Sequence, residues 1–167
     1  MKILMIPSRM LPIPPVKGGA VQNLINFYIE WNEKEKNNDL IVTSIYNEDA
    51  KNLSSELKNT VIAYTGRHRF LIKLMYKDIP KISGFAHKII NAGYKKIIKK
   101  VIRQNKEKLD LVVLDNSTGY FELVRKEFDG KIAIHIYNDH LNSSVKNIDY
   151  IMKNVDRVIT VSEYNSD

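Results

Sequence analysis

Two glycines, Gly18 and Gly19, end a Pro-rich stretch and precede a run of apolar residues at helical spacing. Glycine lets a backbone approach a ligand closely, and the helix that follows offers free N–H groups and the positive end of its dipole to an anion. The same pair also serves as a plain loop-to-helix turn. Asn138-Asp139-His140 closes another apolar segment. Its side chains can bind hydroxyls, or they can form an Asx-type turn that ends a strand. His135 alternates with Ile134 and Ile136, so it faces away from them; it is either a proton-transfer group or a hydrogen-bonded core histidine. His135 and His140 stand five residues apart across a strand end and need not converge, so no metal site is expected. Asn116-Ser117 and Ser162-Glu163 each follow an apolar run. Both pairs can hydrogen-bond a sugar or cap the next helix.

The elements that would carry these groups are legible from periodicity. Lys2–Ile6 reads as a buried strand, 7–19 as a Pro/Gly loop, and Ala20–Lys36 as a helix with Val21, Leu24, Ile25, Tyr28 and Ile29 on one face. Strands are expected at Leu40–Tyr46, Thr60–Tyr64, Asp110–Leu114, Lys131–Tyr137 and Arg157–Val161. Helices are expected at Phe85–Leu109, Tyr120–Phe128 and Asn142–Asn154, while 67–84 is placed only as a basic, aromatic stretch. Strands alternating with helices predict parallel βαβ units and a Rossmann-like open sheet with helices on both faces. In such sheets ligands lie beyond the carboxyl ends of the strands, where 7–19, 116–119, 138–140 and 162–164 would gather.

With 167 residues the chain suits a single domain, and 44% hydrophobic with 27% charged residues is a globular composition. The absence of cysteine excludes disulfides, thiolate zinc sites and a cysteine nucleophile. It is consistent with a reducing compartment, so a cytoplasmic protein is expected. Pro7 and Arg9 interrupt the opening apolar run, which argues against a secretory signal. The net charge of +7 is local. Between Lys88 and Lys108 eight basic residues face one acid, Glu107, whereas everything outside 67–108 is slightly acidic.

On a helical wheel Ile90, Tyr94, Ile97, Ile98, Val101, Ile102 and Leu109 share one arc. Lys88, Lys95, Lys96, Lys99, Lys100, Arg103 and Lys106 fall opposite. A solvated helix face usually mixes acids with bases, because like charges repel at i,i+4. The near absence of acids here points to an anionic partner. Anionic membrane attracts such residues at about 1 kcal/mol each. The flanking segment Arg69–Lys77 has the composition of an interfacial helix. Nucleic acid is the weaker candidate, since no stacking platform or recognition motif accompanies the charge.

Three segments in order resemble the N-terminal domain of a GT-B glycosyltransferase of the family 4 type, a retaining sugar-nucleotide enzyme. They are Met1–Ile6 with Pro14-Pro15-Val16-Lys17-Gly18-Gly19-Ala20, Lys131–Asp139, and Val155–Tyr164. The resemblance spans nearly the whole chain. It implies an acceptor-side domain whose Lys17, Gly18 and Gly19 face the donor diphosphate. Asn116, Ser117, Tyr137, Asn138, Ser162 and Glu163 would contact donor or acceptor. Catalytic contributions would come from Asp139, His140 and His135. Tyr137 stands where the family usually has histidine, and any of His135, Tyr137 and His140 could take that place. The implied donor is a nucleotide-diphosphate sugar, with no separate cofactor. The implied acceptor is a glycan or a lipid-linked glycan, reached from a peripheral position on the inner membrane face through Lys95, Lys96, Lys99, Lys100, Arg103 and Lys106.

In the family a second domain holds most of the donor site. The Ser162-Glu163 cap signal announces a helix near Tyr164, and the sequence stops at Asp167. The expectation is therefore an excised fragment, inactive alone. A β-branched residue at Gly19 is expected to block transfer in the full-length protein without unfolding this domain. A membrane-anchoring partner subunit is the alternative. A dinucleotide oxidoreductase is disfavoured, because no G-x-G-x-x-G follows the first strand.

Overall fold

A computed structural model describes residues 1–67, 80–137 and 147–160, with backbone alone for 80–82. Six parallel strands form one open sheet: β1 (Lys2–Pro7), β2 (Asp39–Ser44), β3 (Thr60–Tyr64), β4 (Leu111–Asp115), β5 (Lys131–Ile136) and β6 (Arg157–Thr160). Their spatial order is β3-β2-β1-β4-β5-β6. The helices are α1 (Ala20–Glu35), α2 (Glu48–Ser54), α3 (Pro80–Asn105), α4 (Phe121–Glu127, after a 3-10 turn at Thr118–Tyr120) and α5 (Ile148–Asn154). This is the Rossmann-like arrangement expected from the alternating pattern. Its connections diverge at the β1–β4 seam, the switch point of such sheets.

Alternation along the strands builds two cores. Leu4, Ile6, Val112, Leu114, Ile132 and Ile134 point to one face and pack on Ile90, Tyr94, Ile98 and Ile102 of α3, Phe121 and Val124 of α4, and Ile151 of α5. Met5, Leu40 and Val42 point to the other face and pack on Ile25 and Ile29 of α1. Burying a large apolar side chain contributes about 1.5–3 kcal/mol. The apolar arc read for α3 is therefore what fixes that helix to the sheet. The Tyr94 hydroxyl sits within this core, donating to the Pro7 carbonyl at 2.8 Å and lying 2.9 Å from Thr43 Oγ1.

Most boundaries fall within two residues of the sequence reading, and the long helix differs by more. Helix α3 starts at Pro80, not Phe85, because proline fits a first helical turn and Gly84 does not stop the helix. It ends at Asn105, and Leu109 is buried beyond it in the turn to β4. Helix α2 went unanticipated. It is seven residues long and buries Ala50 alone, so it has no apolar periodicity; its signal is the Asn47 cap, whose side chain accepts from Ala50 N at 3.0 Å. The stretch 68–79 and the expected helix start at 142–146 lie outside the described residues.

Candidate functional site

The strand ends converge at one edge, as the topology requires. The loop after β1 is tied down at Ile13, which is fully buried. Its N–H donates to Ser44 Oγ (2.9 Å) and its carbonyl accepts from the Tyr64 hydroxyl (2.9 Å). That anchorage carries Lys17, exposed, and the turn Gly18-Gly19 to the start of α1. Both glycines have positive φ, 71° and 103°. Gly19 offers no side-chain cap, so the first turn of α1 presents open N–H groups. A Cβ on Gly19 would run into the Gln22 side chain and into Leu11 Cδ1. Both are ends of flexible side chains, so a β-branched residue there strains the turn within the stability of an ordinary domain. The backbone conformation alone adds about 1–3 kcal/mol of strain.

At the ends of β4 and β5 lies a buried three-membered network. Asp115 is fully buried and pairs in register with His135 across the strands. The Tyr137 hydroxyl donates its proton to Asp115 Oδ1 at 2.6 Å. Its oxygen is 3.0 Å from His135 Nδ1, which is also 3.2 Å from Asp115 Oδ1. With the tyrosine proton committed, both oxygens can accept from an Nδ1–H of His135, and in that neutral tautomer Nε2 carries the ring's lone pair. Burial, and then the Asp115 charge, push the Tyr137 phenol far up, so it remains a donor. Asp115 Oδ2 is buried and has no partner among the described residues. His135 forms one wall of an apolar groove of about 310 Å³ beside α1, with Tyr28, Trp31, Val113 and Ile159. A base in a low-polarity groove can take a proton from a bound hydroxyl.

On the opposite face of the sheet, at the seam, β1 and β4 end in a polar crevice of about 330 Å³. Ser8, Arg9, Asn116, Ser117, Asn91 and Lys95 line it. The Ser117 hydroxyl donates to the Ile6 carbonyl at 2.6 Å and stitches the two strand ends together. Asn116 adopts a left-handed conformation (φ 48°), and its side-chain oxygen is buried without a partner among the described residues.

The structure brings together Gly18, Gly19, Asn116, Ser117, His135 and Tyr137 at this edge. Asn138, Asp139, His140, Ser162 and Glu163 lie outside the described residues. The expectation of an uncompensated cationic face needs correction for half of it. Glu127 takes Arg103 at 2.7 Å and Lys99 at 3.4 Å, and Asp129 takes Lys106 at 3.0 Å. The compensating acids come from the neighbouring α4 and its following turn, where a helical wheel of α3 cannot show them. Lys95, Lys96 and Lys100 have no acidic partner among the described residues. Sequence reasoning missed Asp115, Arg9 and Asn91. An acid ending the apolar run Leu111–Leu114, and a cation just past the first strand, were the available signals.

No protein-family model matches the chain, and no curated protein matches it. Among solved structures, the chain is similar to a UGT transferase from Siraitia grosvenorii, crystallised in complex with UDP. The identity is 11% and the TM-score 0.51, over 84% of this chain and 31% of that one. This chain therefore spans about a third of that transferase, and the likeness is one of fold.

Proposed function

We propose that the chain is the acceptor-side domain of a GT-B glycosyltransferase, similar to the retaining family 4 enzymes. It would serve transfer of a sugar from a nucleotide-sugar donor to a glycan or lipid-linked acceptor. The supporting observation is the likeness in fold to a UDP-bound transferase, beside a parallel sheet whose Gly18-Gly19 turn and polar strand ends follow its carboxyl ends. In this reading Gly18, Gly19 and the open first turn of α1 face the donor diphosphate. Asn116, Ser117 and the Asp115–His135–Tyr137 network face hydroxyl groups. In the sequence Asn138, Asp139 and His140 follow β5, and Ser162 and Glu163 follow β6. A second domain supplies the rest of the donor site, so the 167-residue chain transfers no sugar alone. Lys95, Lys96 and Lys100 dock the domain reversibly on the anionic cytoplasmic face of a membrane, each adding about 1 kcal/mol.

Nitrogen-15 NMR of the chain tests this. UDP-sugars, short oligosaccharides and anionic lipid nanodiscs are titrated in turn. The expected result is perturbation of Gly18, Gly19 and residues 116–119 by sugar ligands, and of residues 95–100 by the nanodiscs. A sheet edge unmoved by every nucleotide sugar and oligosaccharide overturns the reading.

A further inference from the structure

The seam crevice carries two cations, Arg9 and Lys95, and the amide of Asn91 beside hydroxyls and the Asn116 side chain. Asn91 Oδ1 accepts twice, from Arg9 Nε at 3.0 Å and from the Tyr120 hydroxyl at 2.8 Å. With both lone-pair directions engaged, Asn91 has its amide N–H groups left to offer. Arg9 has no carboxylate partner among the described residues; its Nη1 lies 3.8 Å from the Met10 sulfur, a weak acceptor. Lys95 stands one helical turn beyond Asn91 on α3 and is exposed, also without an acidic partner among the described residues. No carboxylate lines the crevice among the described residues.

Asp115, one residue before Asn116, is fully buried and takes the Tyr137 hydroxyl, and the acids of α4 are engaged as well. Glu122 accepts from Asn147 Nδ2, and Glu127 pairs with Arg103 and Lys99. Arg9 is half-buried and held by its Nε contact with Asn91 and by the Tyr120 hydroxyl, with an ammonium and an amide donor beside it. That combination matches a tetrahedral oxyanion, which accepts several charge-assisted hydrogen bonds at once. The crevice shares Lys95 and Gly119 with a groove of about 590 Å³ between α3 and α4, lined also by Lys96, Lys126, Leu123 and the two acids Glu122 and Glu127. A phosphate bound at Arg9 thus has room for a longer substituent along α3.

We infer that the crevice binds the phosphate group of a phosphate ester or diester, through Arg9, Lys95 and the Asn91 amide. The phosphate comes either from a lipid headgroup or from a soluble ester. The inference stands independently of sugar transfer.

Calorimetric titration of the chain with inorganic pyrophosphate at low salt is the test, with circular dichroism confirming each fold. Saturable one-site binding is expected. Arg9→Gln and Asn91→Asp should each weaken it at least about tenfold, and Lys95→Gln about three- to tenfold. Asn91→Asp is the decisive variant: it keeps both accepted hydrogen bonds and adds a carboxylate that neutralises Arg9. Lys153→Gln, the same charge change on α5, should alter affinity less than twofold. Absence of saturable binding, or equal weakening by Lys153→Gln and Asn91→Asp, overturns the inference. Phosphatidylglycerol vesicles then distinguish the sources. Vesicle binding lost in Asn91→Asp identifies a lipid headgroup, and vesicle binding retained while pyrophosphate binding is lost identifies a soluble ester. Shifts with nucleotide sugars but no pyrophosphate binding would remove this site and leave the glycosyl-transfer reading intact.

Discussion

The β1–β4 seam has two unlike sides. Towards α3 it opens into a cationic crevice around Arg9, Asn91 and Lys95. Towards α1 the neighbouring space is an apolar groove of nearly equal size, walled by Tyr28, Trp31 and Ile159, with His135 its one imidazole. The strand ends contribute adjacent residues to both, Asn116 and Ser117 to the first and the Asp115–His135 pair to the second. The difference comes from the covering helices. Helix α3 crosses the seam and delivers Asn91 and Lys95 to it, while its buried face locks Tyr94 under Pro7. Helix α1 packs on β1 and β2, so Ile159 stays 43% exposed and Trp31 55% exposed. The lesson is that a switch point fixes where ligands go, and the helix above it decides whether they are anionic or apolar.

Three substitutions break or sharpen that contrast. The largest effect is expected on the groove side. Asp115→Ala removes the carboxylate that takes the Tyr137 hydroxyl, leaves that hydroxyl and His135 Nδ1 with only each other and opens a buried gap, and should destabilise the fold by about 3 kcal/mol. For a chain of this length that lowers the melting temperature by roughly 6–12 °C. A change below 2 °C would mean the network is solvated and the groove side is not built around it.

The second is on the crevice side. Burial pushes the Tyr120 phenol up to about 12. A group with a raised folded-state pKa stabilises fully below its unfolded value, near 10 for tyrosine, and loses that contribution as pH climbs towards 12. Tyr120→Phe should cost about 1 kcal/mol at neutral pH through the lost Asn91 bond, and should flatten the alkaline fall in stability. Urea midpoints between pH 8 and about 11.5 read both. The smallest effect belongs to Glu127→Gln. Its pairs with Arg103 and Lys99 are exposed, so stability should change by less than about 1 kcal/mol. Release of those two cations should instead tighten co-sedimentation with anionic vesicles. Unchanged or weaker sedimentation would show that Lys99 and Arg103 take no part in docking.

All six strands and the two long helices were legible, because a parallel sheet buried on both faces leaves nearly continuous apolar runs and α3 an unbroken 3.6-residue stripe. Gly18 and Gly19 were legible as a turn, since positive φ is the ordinary reason for such a pair. Asp115, Arg9 and Asn91 were not. Each is an unremarkable polar residue in its own segment, and gains meaning by meeting a partner twenty to eighty residues away. The pairing of Lys99 and Arg103 with Glu127 escaped for the same reason, since charge read along one helix omits the helix beside it.

The Arg9–Asn91–Tyr120 contacts also carry a consequence for synthesis of the chain. They join the end of the first strand, the middle of the long helix and the turn after the fourth strand. A ribosome must therefore deliver Tyr120 before Arg9 can find its final seat. Every shorter nascent chain carries that guanidinium without its Asn91–Tyr120 clamp, so competence for an anionic ligand would arise late and abruptly during translation.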